Sequence, residues 1–313
     1  MAAEPLSPDP LIPPERSSAS EPTTTPAASP PPLPPGGPAV KLKRRTSLGV
    51  RLVRIVLLSY CGMLVAAMFM ENSLVYFPSK YPEGDWQPAD FALEDLWMTT
   101  GDGVKIHGWY IPCEQPRAYL LFAHGNAGNI TYRVELMRRL HQLHVATLFF
   151  DYRGYGRSDG SPNETGVLFD ARAARKALAE KAGLPEDRLI MMGESLGGGV
   201  AVNLAAQDGA RALILENTFT SAPDVAAKHY PFLPCKLLMR NRFNSLAIIG
   251  QYHGPLLQFH GDADTIVPYA LGEQLFAAAN EPKTFVTIPH GDHNDDRTPK
   301  FYEGLAEFLE KLP

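Results

Sequence analysis

Apolar residues along residues 93–313 recur with two different spacings. Short apolar runs, typical of strands buried on both faces, alternate with longer stretches in which apolar residues recur every three or four positions, as in helices. The short runs predict strands at 94–99, 104–111, 119–123, 145–151, 189–193, 212–215, 256–259 and 285–288. The longer stretches predict helices at 131–143, 164–181, 196–207 and 301–312.

This alternation predicts an α/β fold with a mainly parallel, doubly wound sheet. The turn Gly101-Asp102-Gly103 joins the first two strands as a hairpin, so the sheet is expected to begin with antiparallel strands. Residues 217–254 lack a regular pattern and are predicted to form a lid with one or two short helices. The apolar residues of the lid either line an acyl pocket or pack on the core; they are Leu233, Leu237, Leu238, Met239 and Phe243.

A long apolar stretch, residues 48–70, precedes this domain. As a helix it would span about 35 Å, enough for the hydrocarbon core of a bilayer, and the charged heads of Arg51 and Arg54 can reach the interface. Basic residues flank its N-terminal side whereas Glu71 follows it, which predicts a cytoplasmic N-terminus and an extracytoplasmic catalytic domain. A cleaved signal peptide and a buried core helix are the alternatives.

Composition changes sharply before the apolar stretch. Residues 1–40 hold 13 of the 29 prolines and few large apolar side chains, so they cannot bury enough surface to offset the entropy of ordering. Residues 1–47 are therefore predicted to be a disordered tail with a basic flank, and residues 71–92 a connector to the catalytic domain 93–313. The net charge of −5 gives no reason to expect a nucleic-acid partner.

The sequence Gly193-Glu194-Ser195-Leu196-Gly197 lies between a predicted strand and a predicted helix. A G-x-S-x-G in this context predicts a sharp turn that exposes the serine as a nucleophile, so Ser195 is the candidate. The loop 124–129 follows another strand, at the place where the second donor of an oxyanion hole is expected. The backbone N–H groups of Asn126 and Leu196 are predicted to form that hole, with Ala127 as a neighbouring alternative. His124 is interpreted as a residue that fixes the loop.

An acid and a base are available after the last two predicted strands. Asp264 is preferred as the acid and Asp262 is the alternative; His293 and His290 are the two candidates for the base. A Ser, Asp, His order along the chain is that of an α/β hydrolase. Such chemistry requires no cofactor, and no metal site is expected because the three cysteines show no metal-ligand spacing.

Six motifs together resemble the membrane-anchored serine hydrolases of the α/β-hydrolase superfamily, a group that includes fungal bud-emergence hydrolases and animal ABHD depalmitoylase-like enzymes. The motifs are HGNAGN, DYRGYGRSDG, GESLGG, RFNSL, HGDADTIVP and GDHND. The resemblance covers about residues 72–313. It implies an α/β-hydrolase fold, Asp264 as the triad acid and His293 as the base.

The resemblance and the candidate triad predict hydrolysis of a carboxylic ester or thioester through an acyl-enzyme. The predicted anchor at 48–70 and the apolar lid favour a lipid or an acylated protein as substrate. A peptidase of the serine aminopeptidase kind is the alternative, since related folds host that activity. A non-catalytic membrane scaffold that displays the Pro-rich tail is an alternative of another class.

The charge asymmetry around residues 48–70 makes orientation testable. Protease added outside spheroplasts is expected to digest residues 93–313, because the basic flank keeps the N-terminus in the cytoplasm. An epitope tag at each end, followed by immunoblotting, reports which end is accessible. Digestion of the catalytic domain only in inverted vesicles would contradict the predicted orientation.

Overall fold

The computed structural model describes residues 28–32, 36–37, 47–88 and 91–312. The chain divides into a small unit, Met1–Arg51, and a large unit, Leu52–Pro313. Most of the predicted tail lies outside the described residues. The α-helices are α1 Leu48–Val75, α2 Val134–Gln142, α3 Glu164–Ala182, α4 Leu196–Asp208, α5 Ala222–His229, α6 Cys235–Leu238, α7 Ser245–Ile248, α8 Tyr269–Ala278 and α9 Pro299–Lys311.

The strands match the apolar runs of the sequence closely. They are β1 Phe77–Pro78, β2 Glu94–Thr99, β3 Lys105–Ile111, β4 Ala118–Ala123, β5 Ala127–Gly128, β6 Val145–Phe150, β7 Ile190–Glu194, β8 Ala212–Glu216, β9 Leu256–Gly261 and β10 Lys283–Ile288. Short 3₁₀ turns occupy Ile130–Arg133, Glu186–Arg188 and Ile249–Gln251. Strands β1 and β5 form a separate parallel pair that the sequence pattern did not indicate.

The main sheet has the strand order β10-β9-β8-β7-β4-β6-β3-β2. Only the pairs β2–β3 and β3–β6 are antiparallel; the other neighbours are parallel. The predicted fold class is therefore confirmed: an α/β-hydrolase fold with a mainly parallel sheet and an antiparallel N-terminal edge. Strand β7 lies between β4 and β8, so the serine that follows it emerges near the middle of the sheet.

Both faces of the sheet are covered by helices, which explains why the strands are apolar at successive positions. On β4, Leu120 faces a core shared with α2 and α9, whereas Leu121 faces the core shared with α3, α4 and α8. All of these strand side chains are almost completely buried. Burial of one such leucine contributes roughly 1.5–3 kcal/mol, so the packed sheet is a rigid base for the loops at its carboxyl edge.

The lid, residues 217–254, contains three short α-helices, α5, α6 and α7. The sequence predicted one or two. Each lid helix is short and bounded by loops, so its apolar periodicity extends over too few residues to count helices from the pattern. Ser221 begins α5 by accepting a hydrogen bond from the Asp224 N–H, with Pro223 in the first turn.

Helix α1 is long and apolar enough to cross a membrane by length and composition. It continues past the predicted end of the span at residue 70 and reaches Val75. Near that end the Glu71 side chain is buried. Its carboxylate accepts hydrogen bonds from the backbone N–H groups of Arg240 and Asn241 at 2.8 and 2.7 Å, and from the Asn241 amide at 2.9 Å. The end of α1 is thereby tied to the lid.

Replacing Glu71 by alanine should destabilise the lid. The Glu71→Ala variant removes the acceptor of the Asn241 groups, which are buried, and an unsatisfied buried donor costs about 1–3 kcal/mol. Urea unfolding of the full chain in detergent measures the loss. Glu180→Ala is the control, because Glu180 and its partner Lys176 are exposed and such pairs contribute about 0–1 kcal/mol. Equal stability of both variants would contradict the role of Glu71.

Candidate active site

Ser195 lies on the turn between β7 and α4. Its backbone has φ 54° and ψ −118°, a strained conformation for a residue with a side chain. A Cβ on Gly193 would lie 2.1 Å from the carbonyl oxygen of Gly197, and a Cβ on Gly197 would lie 2.0 Å from that of Ala123. No other residue fits at either position without moving backbone, so the two glycines permit the turn.

Hydrogen bonds from the neighbouring strand hold the turn in place. The Ser195 N–H donates to the carbonyl oxygen of Glu216 at 2.8 Å. The Thr218 hydroxyl donates to the Ser195 carbonyl, also at 2.8 Å. Both polar groups of the strained peptide are thus satisfied, and only the Ser195 hydroxyl is left to project from the sheet edge.

The structure brings Ser195, His293 and Asp264 together from three separate strand ends. The His293 Nε2 atom lies 3.0 Å from the Ser195 hydroxyl oxygen, and the Nδ1 atom lies 2.7 Å from an Asp264 carboxylate oxygen. Asp264 follows β9 and His293 follows β10. This geometry fits an Nδ1–H that donates to the carboxylate and an Nε2 that accepts from the serine, the arrangement a general base needs.

The surroundings of Asp264 keep its carboxylate charged. Its Oδ1 atom accepts hydrogen bonds from the backbone N–H groups of Ile266 at 2.9 Å and Val267 at 2.7 Å. Burial opposes ionisation, but the hydrogen bonds from His260, His293 and Val267 outweigh it and hold the pKa of Asp264 below its ordinary value. A charged acid can orient His293 and stabilise its protonated form.

The alternative acid and base contact each other instead of the serine. The Asp262 carboxylate accepts a hydrogen bond from the backbone N–H of His290 at 2.6 Å. This pair links the loops after β9 and β10. Among the candidates, His293 contacts Ser195 and Asp264 contacts His293.

Asp292 is a residue whose part in the site the sequence reasoning missed. One of its carboxylate oxygens accepts hydrogen bonds from the Thr265 N–H at 2.8 Å and from the His293 N–H at 2.7 Å. Asp292 therefore joins the residue after Asp264 to the backbone of the base. The signal available in the sequence was its position directly before His293.

A chain of ion pairs beside Ser195 was also missed. Glu194, directly before Ser195, accepts hydrogen bonds from Arg133 at 2.8 Å and from Arg297 at 2.7 Å. Arg297 also binds Glu216 at 2.8 Å. Burial disfavours the Glu194 carboxylate, but the two arginines outweigh it and lower its pKa. The ion pairs tie the nucleophile turn to the segment that follows His293.

The predicted oxyanion loop lies against Ser195. A Cβ on Gly125 would be 3.6 Å from the Ser195 Cβ. The next residue, Asn126, is fixed by three hydrogen bonds: its carbonyl accepts from the Phe77 N–H at 2.9 Å and the Tyr155 hydroxyl at 2.7 Å, and its amide donates to the Val75 carbonyl at 3.0 Å.

The other residues predicted for the oxyanion hole are Leu196 and its neighbouring alternative Ala127, and each lies in a regular element. Leu196 is the first residue of α4, so its N–H belongs to the positive end of a helix dipole. Ala127 pairs with Phe77 in the β1–β5 ladder. The His124 Nδ1 atom lies 2.7 Å from the Gly125 carbonyl oxygen. Burial lowers the pKa of His124 to about 3, so the ring is neutral and fixes the loop.

Known proteins resemble this chain over most of its length. Residues 114–248 match a family model described as serine aminopeptidase, S33. The uncharacterized protein Rv2307c of Mycobacterium tuberculosis is 40% identical over 258 residues, which are 82% of this chain and 91% of that protein. The α/β hydrolase domain-containing protein WAV2 of Arabidopsis thaliana is 34% identical, over 84% of this chain and 96% of that one. This chain belongs to the α/β-hydrolase family.

Other comparisons agree with this membership. Protein bem46 of Schizosaccharomyces pombe is 32% identical to this hydrolase over 80% of this chain and 93% of that one. Among solved structures, the esterase Pf2001 of Pyrococcus furiosus superposes with a TM-score of 0.62 at 20% identity, over 76% of this chain and 98% of that chain. At that identity the likeness is one of fold. Among the residues that the structure describes, no group of three or more His, Cys, Asp or Glu is placed to hold a metal ion.

The lowered pKa of Asp264 predicts how the stability of this hydrolase depends on pH. Because the folded-state pKa lies below the ordinary value of 3.8, the carboxylate contributes stability that is complete above that pH and is lost as the pH falls through the lowered pKa. The stability advantage of the native chain over Asp264→Asn should shrink by about 1–3 kcal/mol between about pH 6 and pH 2.5. Urea unfolding at several pH values measures it; a constant difference would contradict the assignment.

Proposed function

We propose that this hydrolase cleaves carboxylic ester or thioester bonds through an acyl-enzyme on Ser195. One observation carries the proposal: the continuous hydrogen-bonded chain from the Ser195 hydroxyl through both nitrogens of His293 to Asp264. The chain starts on a strained turn that presents the hydroxyl at the edge of the sheet. A buried acid that orients a base toward a serine is the arrangement required for nucleophilic catalysis.

In the proposed reaction, the Ser195 oxygen attacks the carbonyl carbon while His293 takes the hydroxyl proton. The tetrahedral intermediate collapses when His293 passes that proton to the departing alcohol or thiol. Water then attacks the acyl-enzyme with His293 again as base, and the acid and free serine are released. Asp264 stays ionised and stabilises the imidazolium in both steps. The reaction uses no cofactor.

The proposed oxyanion hole consists of the backbone N–H groups of Leu196 and Asn126. The hydrogen bonds that fix the Asn126 carbonyl and amide support this assignment, because a rigid donor pays no reorganisation cost as charge develops. The N-terminus of α4 adds a favourable dipole. Loss of one such donor typically lowers the rate by about 100- to 1000-fold.

We further propose that α1 anchors the enzyme, with the N-terminus in the cytoplasm and the catalytic domain outside it. The length and apolar composition of α1 support insertion, and the basic residues before it support the orientation. A lipid or an acylated protein is then the substrate class most accessible to the site. The esterase Pf2001 shares the fold, which is compatible with this choice.

A peptidase is the second candidate, and the match to a family model described as serine aminopeptidase, S33, favours it. Acyl esters and aminoacyl anilides separate the two activities when both are assayed on the same preparation. Faster turnover of esters and thioesters supports the proposed function. Faster turnover of the anilides would replace it.

Replacing the nucleophile should abolish both labelling and turnover. Ser195→Ala is expected to lose fluorophosphonate labelling and to lower p-nitrophenyl ester hydrolysis by at least about 1000-fold, because no other group can form the acyl-enzyme. Ser161→Ala is the matched control, since Ser161 is exposed on the surface, and it should retain native labelling. A Ser195→Ala enzyme with native turnover would falsify the role of Ser195. A native chain that shows neither labelling nor turnover would instead favour the non-catalytic scaffold.

A further inference from the structure

An apolar groove lies between α1 and the lid. Its volume is about 330 Å³, within the range of sites for small ligands. Among the described residues that line it, Glu71 is the only charged one, and hydrogen bonds from the lid occupy that carboxylate. Apolar side chains from both walls line the groove and favour an apolar ligand: Leu64, Ala67 and Leu74 from α1, and Ala226, Leu233 and Leu238 from the lid.

Two residues that line the groove contact the loop beside the candidate active site. They are Val75 and Phe77. The Val75 carbonyl accepts a hydrogen bond from the Asn126 amide, and the Phe77 N–H donates to the Asn126 carbonyl. Asn126 adjoins Gly125, which packs against Ser195. A chain lying in the groove would therefore point toward the loop proposed to hold the oxyanion.

The lid also contacts the apolar part of α1 nearer to the N-terminus of that helix. The Tyr60 hydroxyl donates a hydrogen bond to the Phe232 carbonyl at 2.7 Å, and Tyr60 precedes Glu71 by three helical turns, about 16 Å. Two lid side chains are unusually exposed for apolar residues: Phe232 at 62% and Leu237 at 78%. Tyr60 lies near the middle of the span predicted at 48–70. If α1 lies in a bilayer, a lid segment that contacts Tyr60 therefore meets hydrocarbon rather than water, and exposed apolar surface there carries no cost.

We propose that this groove binds the acyl chain of a substrate that enters from the bilayer, and that it directs the carbonyl group toward Ser195. The inference rests on the proposed function for the chemistry at Ser195. The occupant is a single acyl chain, because the walls are apolar and the lining residue Val75 contacts Asn126 of the loop beside Ser195.

The free energy of transferring an acyl chain into the groove determines how the groove can select substrates. An acyl chain that leaves the bilayer for an apolar groove exchanges one apolar surrounding for another, so little free energy is gained in the transfer. From water, each buried methylene contributes roughly 0.8 kcal/mol. The groove therefore selects long chains by holding them in one orientation, and a short chain that cannot fill it loses that advantage.

A large side chain substituted into the groove tests the proposal. Ala67→Trp in the full chain, reconstituted in phosphatidylcholine vesicles, should lower the ratio of palmitoyl to butyryl p-nitrophenyl ester turnover by at least about tenfold, a discrimination typical of an altered apolar pocket. Ala66→Trp is the matched control, because Ala66 is exposed on α1 and is not part of the groove; it should keep the native ratio. Ala226→Trp repeats the test from the opposite wall.

A second measurement does not depend on turnover. Palmitic acid carrying a photoreactive diazirine is cross-linked to the Ser195→Ala chain in the same vesicles, and the labelled peptides are identified by mass spectrometry. Label is expected in residues 64–77 and 226–239, and Ala67→Trp should remove it whereas Ala66→Trp should not.

The two measurements separate the possible failures. Label in these residues without any ester turnover would leave the groove standing and overturn the proposed function. Native turnover with an unaltered chain-length ratio in both groove variants, or label spread evenly over the exposed face of α1, would overturn the groove.

Discussion

The position of Ser195 depends on a backbone turn that closes only where two side chains are missing. At Gly193 and Gly197 a Cβ would lie about 2 Å from a carbonyl oxygen, a distance that no repacking of side chains can relieve. The residue between them adopts φ 54°. Strain of this kind persists only when surrounding contacts over-determine it, and here the central strand β7, helix α4 and two hydrogen bonds to the Ser195 peptide provide those contacts.

Polar contacts hold the loops that carry Asp264 and His293 to this turn. Asp292 joins the loop after β9 to the loop after β10. Arg297 joins the latter to Glu194, the neighbour of the nucleophile. Breaking a buried ion pair by removing one partner typically costs about 3–5 kcal/mol, so these contacts can fix the separations on which proton transfer depends. The catalytic assignment and the positioning contacts thus form one connected arrangement.

Almost every strand of the main sheet could be predicted from the sequence. Strands that are buried on both faces consist of consecutive apolar residues, as at 119–123 and 212–215, so each can be recognised from its own short segment. The turn that carries Ser195, the candidate nucleophile, could be predicted in the same way, since its motif lies between a strand and a helix. The acid and base were narrowed to two candidates each, and the resemblance chose between the histidines. The structure then showed that Asp262 and His290 contact each other.

Contacts between residues far apart in the chain could not be predicted from the sequence in this way. Glu194 and Arg297 are 103 residues apart, and Glu71 and Arg240 are 169 residues apart. Single charged residues at such separations carry no periodic signal, so neither the ion pairs beside Ser195 nor the packing of α1 on the lid was foreseen. The lid helices were miscounted for a related reason, because their sequence pattern is too short.

The central claim is that the acyl group of the substrate is transferred to the Ser195 oxygen before water releases it. Acid quenching during turnover of a p-nitrophenyl ester, followed by mass spectrometry of the intact chain and of its peptides, measures this directly. Acyl groups are expected on Ser195 and on no other residue. An acyl adduct on another residue, with none on Ser195, would contradict this claim.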